Sequence, residues 1–230
     1  MDQHISKSRL AIILSGLGGF YKPKVRQEQY LMDSEIGASV LWNAYLLGDV
    51  EGKVIADLGC GTGLLGIGAL LLGAKHIIFV DVDENALKMA KNNLSKMRSI
   101  FEHAQKSLIF DISKLKSESY TIGKADFICQ NIEKLEIQAD VVIQNPPFGT
   151  KVRHADVFFL KKALTIAPMA YSFHKSETKA FLELFFAKNN VKITHIWNFK
   201  FPLKATFSFH QRQIHRINVS CLRFQKEKGF

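Results

Sequence analysis

Four residues in the second half of the chain, Asn145-Pro146-Pro147-Phe148, follow the apolar run 141–143 and Gln144. A turn needs one proline or glycine; it does not need an amide, two prolines and an aromatic in that order. The set suits one chemistry, methyl transfer to a planar exocyclic amine. Such a nitrogen delocalises its lone pair into the ring and attacks poorly. It needs acceptors for its two protons, so that the lone pair can point at the methyl carbon. The Asn145 side-chain oxygen and the Pro146 carbonyl can be those acceptors, and the prolines keep them from reorganising during the reaction. Phe148 offers a flat face on which a flipped base can stack, worth ~1–3 kcal/mol.

An isolated Asn-Pro-Pro is more often a plain turn. A second constellation changes that balance. Asp57 ends an apolar run and is followed by glycines at 59, 61 and 63, then by Leu64. Gly-rich turns between a strand and a helix let a ligand approach the backbone closely. Asp81 ends the next strand candidate and can accept hydrogen bonds from both hydroxyls of a ribose. Dinucleotide sites use Gly-x-Gly-x-x-Gly and rest a pyrophosphate on the helix N-terminus. Here the glycines alternate and an acid precedes them. A carboxylate there repels phosphate and welcomes an ammonium. S-adenosylmethionine carries an α-ammonium, a sulfonium, a ribose and no phosphate, so it fits better than a nicotinamide dinucleotide. Its methyl is already a strong electrophile, so positioning carries the catalysis and no metal is required.

The elements that must position these residues alternate. Strands are expected at 54–58, 76–82, 125–131, 139–144 and 169–173, with helices at 64–73, 84–94, 155–167 and 177–188. Two further strands, 192–200 and 213–224, have no helix between them and should pair as a hairpin. Short apolar strands separated by helices imply a parallel sheet covered on both faces. The fold class expected is therefore α/β, a doubly wound, seven-stranded, mostly parallel sheet with one antiparallel strand near an edge. Asn145 then lies at the carboxyl edge, beside the strand that carries the glycine loop, where such sheets bind ligands.

The whole chain, 1–230, reads as one domain: an N-terminal helical extension at 1–48 and a Rossmann-like core at 49–230 with an insertion at about 95–124. The extension opens on an amphipathic helix with Lys7 and Arg9 on its polar side, a better reading than a signal peptide. A second helix follows Asp33 or Ser34, with Ile36, Val40, Leu41 and Ala44 on its apolar face and Gly48 at its end. In the insertion Met97, Ile100, Phe101, Ala104 and Leu108 have helical spacing, which suggests a separate helix. No run approaches ~20 consecutive apolar residues, so no membrane span is expected. The three scattered cysteines, Cys60, Cys129 and Cys221, argue against zinc and for a reducing, cytoplasmic compartment.

Charge is one-sided. Residues 1–150 carry 16 Lys and Arg against 17 Asp and Glu, whereas residues 151–230 carry 15 against 4. A net excess of eleven in the last third favours a polyanionic partner over a merely solvated surface. Lys151 and Arg153, just after the acceptor motif, suit phosphate contacts. His210 and Arg212, interleaved with Phe207 and Phe209, suit single-stranded RNA. His174 is weighed as a base but fits a structural hydrogen bond or an RNA contact better.

Together these stretches resemble class I S-adenosylmethionine-dependent methyltransferases of the Asn-Pro-Pro-aromatic type. The resemblance is closest to the methyltransferase-like protein five family and its archaeal relatives, which act on N6 of adenine in small-subunit rRNA. It rests on residues 28–30, 54–63, 79–87, 145–151, 170–176 and 201–212. It implies Gln29 and Tyr30 near the cofactor's amino-acid end, and Asp57, Gly59, Gly61, Gly63 and Leu64 along the methionine moiety. Asp81 would hold the ribose, with Val82 and Ile132 about the adenine, while Asn145, Pro146, Pro147 and Phe148 form the acceptor site. Asn131 stands where the family has an aspartate that accepts from the cofactor's adenine amine, and Met32 where it has a threonine. Eukaryotic members use a small zinc-binding activator subunit that pairs with the edge of strand three; an insertion before that strand would replace the partner or reshape its docking surface. Rival substrates left open are guanine N2 in rRNA, adenine N6 in DNA and glutamine N5 in protein. An RNA-binding scaffold that has lost its cofactor is the reading from another class.

Overall fold

A computed structural model describes residues 5–21, 23–24, 29–106, 122–148, 155–203 and 215–227. Seven strands form one sheet: β1 (Val54–Leu58), β2 (His76–Asp81), β3 (Lys124–Cys129), β4 (Val141–Gln144), β5 (Met169–Lys175), β6 (Val191–Leu203) and β7 (His215–Lys226). Their order is β3-β2-β1-β4-β5-β7-β6. The first five are parallel, and β7 runs antiparallel to both neighbours. The expected sheet and its terminal hairpin are therefore present.

The alternation of side chains along each strand divides the core in two. Ile55, Ile77, Phe79, Ile143 and Phe173 face one apolar cluster, shared with helices α1 (Lys7–Ser15), α2 (Ser34–Leu46), α3 (Leu64–Leu71) and α4 (Glu84–Lys106). Ala56, Leu58, Val80 and Val142 face the other, closed by α5 (Ala155–Ile166) and α6 (Lys179–Lys188). Every residue of α3 is buried, which explains why its sequence is apolar all round instead of striped. Helix α2 starts as expected: the Asp33 side chain accepts from the Ile36 amide at 3.0 Å.

One expectation is corrected. The helix that starts at residue 84 does not stop at 94; it continues through Lys106, 23 residues in all, and absorbs the first part of the supposed insertion. Buried Ala90, Leu94, Met97 and Phe101 form one unbroken stripe at spacings of three and four, and no glycine or proline interrupts it. Ile100, grouped with that face from sequence, is exposed. Asn93 does not end the helix because its amide is used across the fold: it accepts from the Gly18 amide and donates to the Gly18 and Thr62 carbonyls, at 2.8–2.9 Å. Leu108 lies outside the described residues.

A buried charged cluster ties the entry of β1 to the far side of the sheet. Asp49 accepts from Arg223 Nε and the Tyr171 hydroxyl at 2.7 and 2.6 Å, and Arg223 Nη1 reaches Thr194 at 2.7 Å. Burial and the adjacent Asp49 carboxylate push the Tyr171 phenol above its ordinary range. Removing one member leaves an uncompensated buried charge. Asp49→Ala should lower the unfolding free energy by about 3 kcal/mol in urea titrations, and adding Arg223→Met should recover part of that loss.

Candidate active site

Parallel pairing sets Leu58 of β1 beside Gln144 of β4, so the chain leaves the sheet at Gly59 and at Asn145 side by side. The loop after β1 is held from below. Its Cys60 amide donates to the Val80 carbonyl at 3.0 Å, and its Gly61 amide to Asp81 Oδ2 at 2.9 Å. Gly59, Gly61 and Gly63 all have positive φ. A Cβ at Gly59 would meet the Phe159 ring at 3.0 Å, and one at Gly61 the Phe20 ring at the same distance. Conformation and contact both demand glycine there.

Above this loop lies a cavity of about 290 Å³, lined in part by Asp57, Asp81, Val82, Asn131, Ile132 and Asn145. Gln29, Tyr30, Gly59, Gly61 and Leu64 also line it. Gly63 stands just behind, as the left-handed residue that starts α3. The structure thus gathers most residues singled out from sequence into one cleft.

Asp57 is its main electrostatic feature. The carboxylate is 1% exposed, Oδ2 accepts from the Gly66 amide at 2.8 Å, and Oδ1 has no partner among the described residues. Burial, aided by the negative charge of Asp81 and opposed by the Gly66 amide, lifts its pKa to about 7. A buried carboxylate with one vacant oxygen is completed by a cationic donor. The α-ammonium of S-adenosylmethionine is such a donor, whereas a phosphate would add a third negative charge to Asp57 and Asp81. Asp81 is also raised, chiefly by burial, although amides of Gly61 and Asp83 donate to its two oxygens. Each oxygen keeps a lone pair for a ribose hydroxyl.

Val82, 61% exposed, and half-buried Ile132 provide apolar walls beside Asp81. Asn131 caps the short 3-10 turn Ile132–Lys134, its oxygen accepting from the Glu133 amide at 2.9 Å. One lone pair of that oxygen is therefore already engaged. Gln29 and Tyr30, adjacent in sequence, serve different parts of the cleft. The Gln29 amide donates to Asp83 Oδ2 at 2.8 Å, and Lys24 pairs with the other oxygen, Oδ1, at 2.9 Å. Tyr30 instead reaches the acceptor motif, its hydroxyl 3.4 Å from Asn145 Oδ1 and 3.5 Å from the Pro146 carbonyl. Its ring stacks on Phe148 at 5.2 Å and 20°, and Phe201 closes the group edge-on.

Lining residues without a signal in the sequence include Phe20, Phe159 and, in this role, Met32. Phe20 and Phe159 press on the glycines from distant segments, and nothing in their local sequence signals it. Met32 drew notice only as a departure from the family; its sulfur accepts from Asn145 Nδ2 at 3.9 Å and so holds the amide with its oxygen toward the acceptor site. His174 is 2% exposed, shares a 2.7 Å hydrogen bond with Ser172, and burial drives its pKa down to about 3. It is a neutral member of the sheet interior, in keeping with the structural reading. Lys151, Arg153, His210 and Arg212 lie outside the described residues. Among the described residues no cluster of His, Cys, Asp or Glu could hold a metal, and no helix is long and apolar enough to cross a membrane.

The Asp57 geometry has a pH signature. A carboxyl whose pKa is raised on folding stabilises the fold while protonated, and that contribution is lost as pH rises from about 4 to about 7. An ammonium ligand favours the ionised form instead. S-adenosylhomocysteine affinity, by calorimetry, should therefore climb over the same interval with proton release. Asp57→Asn should bind it at least about ten-fold more weakly, without that climb.

Comparison with known proteins agrees with this geometry. The family model for ribosomal protein L11 methyltransferase (PrmA) matches residues 43–145, the portion that builds the glycine loop and the acidic turn. An uncharacterized protein of Methanocaldococcus jannaschii is 34% identical over 222 residues, covering 96% of this chain and 95% of its own. The rRNA N(6)-adenosine-methyltransferase METTL5 of Danio rerio is 32% identical over 214 residues, with 92% and 94% covered. A Pyrococcus horikoshii protein of known crystal structure superposes with a TM-score of 0.81 at 38% identity, over 96% of this chain and 98% of that one. Similarity of this extent runs through the acceptor motif as well as the cofactor loop, and the chain belongs to the METTL5 family of class I methyltransferases.

Proposed function

We propose that this protein transfers a methyl group from S-adenosylmethionine to the N6 amine of an adenine in ribosomal RNA, with small-subunit rRNA the substrate class. The observation that carries the reading is the pairing of two acceptors, Asn145 Oδ1 and the Pro146 carbonyl, with a flat aromatic face at Phe148, beside the Asp57 loop. Relatives named for rRNA adenine-N6 methylation support it, as does the positive excess of residues 151–230.

S-adenosylmethionine, when bound, supplies the electrophilic methyl. The chain's own residues do the rest by position. Asp57 takes the ammonium and Asp81 the ribose. Asn145 and Pro146 hold the amine's two protons, which turns the nitrogen lone pair out of the ring plane and toward the methyl carbon. Phe148 holds the base by stacking, and Met32 keeps the Asn145 amide from rotating. The proton that the amine gives up on methylation would leave through Asn145 Oδ1 and the Pro146 carbonyl to solvent, and the bound cofactor would depart as its neutral thioether. Lys151, Arg153, His210 and Arg212 are assigned to the RNA backbone on charge and position in the sequence.

A partner is proposed on topology. Strand β3 is one of the two edge strands of the sheet and pairs only with β2 among the described residues, with Lys124, Asp126 and Cys129 exposed along it. Residues 107–121 lie directly before it in the chain. A small zinc-binding activator subunit would add a strand there.

Incubation with methyl-labelled cofactor and ribosomal subunits, followed by digestion to nucleosides, should place label in N6-methyladenosine of the small subunit; label confined to protein would overturn the reading. Asn145→Ala should lower kcat on the order of a hundred-fold. Met32→Leu should lower it less and Met32→Thr should restore most of the loss. Co-expression with the activator subunit should yield a stable complex, and a solitary protein of full activity would remove the partner from the proposal.

A further inference from the structure

Tyr30 occupies an odd place for a residue of the cofactor cleft. Its ring lies nearly parallel to Phe148, with centroids 5.2 Å apart. Its hydroxyl faces Asn145 Oδ1 and the Pro146 carbonyl together, at 3.4 and 3.5 Å. A flipped adenine would present the same two elements, a flat ring on Phe148 and a donor at those two oxygens. The phenol offers one hydrogen where the amine offers two.

The chain on either side of Tyr30 is anchored. Gln29 is fixed to Asp83 at 2.8 Å, and Asp33 is fixed by capping α2 at 3.0 Å. Only Tyr30, Leu31 and Met32 span the gap between these anchors. Met32 meets Asn145 from the side of its amide nitrogen, at 3.9 Å. This short segment therefore grips Asn145 at both ends of its side chain, with the oxygen turned to Tyr30 and the nitrogen to Met32.

The distances decide how firmly the phenol is held. Hydrogen bonds between a hydroxyl and oxygen are strong near ~2.7–2.8 Å and weaken beyond ~3.0 Å. Contacts of 3.4 and 3.5 Å are weak, and the stacking on Phe148 and the edge of Phe201 at 5.5 Å add to the hold. An amine seated at full hydrogen-bonding distance from both acceptors would outcompete the phenol for them. It must also displace the ring, and a free nucleoside brings nothing else to offset that cost. An adenine delivered by an RNA brings its flanking phosphates and bases as well.

We propose that Tyr30 is a resident stand-in for the target base, which keeps the acceptor slot closed to free adenine nucleosides and yields only to an adenine presented on RNA. The inference rests on the reading of Asn145 and Phe148 as an adenine acceptor site. It makes Tyr30 a specificity-determining residue on the substrate side of the cleft. On arrival of the base the stacked pair opens, and the Tyr30 ring becomes the second face of the slot.

Calorimetry of adenosine binding to protein saturated with sinefungin reads this slot alone, because the cofactor analogue already fills the main cleft. Tyr30→Phe keeps the ring and loses the donor. It should bind adenosine about two-fold more tightly than the parent, the ratio for a hydrogen bond at the weak end of the ordinary range. Sinefungin affinity should stay the same, and adding Asn145→Ala should abolish the gain. Tyr30→Ala should bind adenosine as tightly or better and should methylate it where the parent does not. Equal or weaker adenosine binding in both Tyr30 variants would overturn the inference. So would weakened sinefungin binding by Tyr30→Phe, which would assign the phenol to the cofactor. Thermal unfolding checks that each variant is folded, and Tyr30→Phe, which leaves the packing of the ring intact, decides if Tyr30→Ala is not. RNA methylation by the parent, assayed in parallel, separates the two readings. An active parent with no gain in the variants removes the stand-in alone. An inactive parent with the gain intact removes the RNA activity and leaves the stand-in.

Discussion

The parallel pairing of β1 with β4 is the constraint on which the site depends. The two strands are locked at their start by a reciprocal clamp: the Val54 amide donates to the Asp140 carboxylate and the Asp140 amide to the Val54 carbonyl, each at 2.8 Å. From that clamp the register runs to Leu58 beside Gln144, and the glycine loop and the acceptor motif emerge together. Paired strands, typically ~4.8 Å apart, cannot slip by one residue without exchanging one core face for the other, so the spacing of glycine loop and acceptor motif is a property of the sheet and not of its loops. A parallel pair also needs a long crossover, and the crossover here contains the second acid, Asp81.

Two acids in one wall, Asp57 buried and Asp81 half-buried, are costly in isolation. The fold limits the cost by aiming backbone amides at them, Gly66 at Asp57 and Gly61 with Asp83 at Asp81, and leaves one oxygen of Asp57 unpaired. The unpaired oxygen is a cost to the free protein, one that an ammonium would offset and a phosphate would increase. The same economy governs the acceptor side, where Asn145 is fixed from both ends by Met32 and Tyr30 instead of being left to solvent.

The N-terminal extension belongs to the site as much as to the core. Between α1 and α2 the chain crosses the cleft and touches it repeatedly: Gly18 on Asn93, Phe20 over Gly61, Lys24 and Gln29 on Asp83, Tyr30 on the acceptor motif. Continuation of α4 past residue 94 is part of the same arrangement, since Asn93 must sit within a regular helix to hold Gly18 and Thr62 at once. In sequence the residues after Leu94 resemble a separate insertion; the buried stripe through Met97 and Phe101 shows one face, not two.

Much of this protein was legible without coordinates. Strand and helix order, the hairpin at the end, the glycine loop with Asp57 and Asp81, and the place of Asn145 to Phe148 at the end of β4 all follow from local patterns. Period-two and helical spacings record burial, alternating glycines record positive φ, and prolines record a rigid backbone, so each leaves its mark within a few residues. The contacts that finish the site leave no such mark. Phe20 and Phe159 on the glycines, Met32 on the Asn145 amide, Asn93 on Gly18 and Tyr30 on the two acceptors each join segments far apart in the chain. Their side chains look ordinary in sequence, because packing between distant segments depends on where the sheet sets them and not on their neighbours. The tertiary structure alone decided that Gln29 and Tyr30, one residue apart, serve the acidic turn and the acceptor slot respectively.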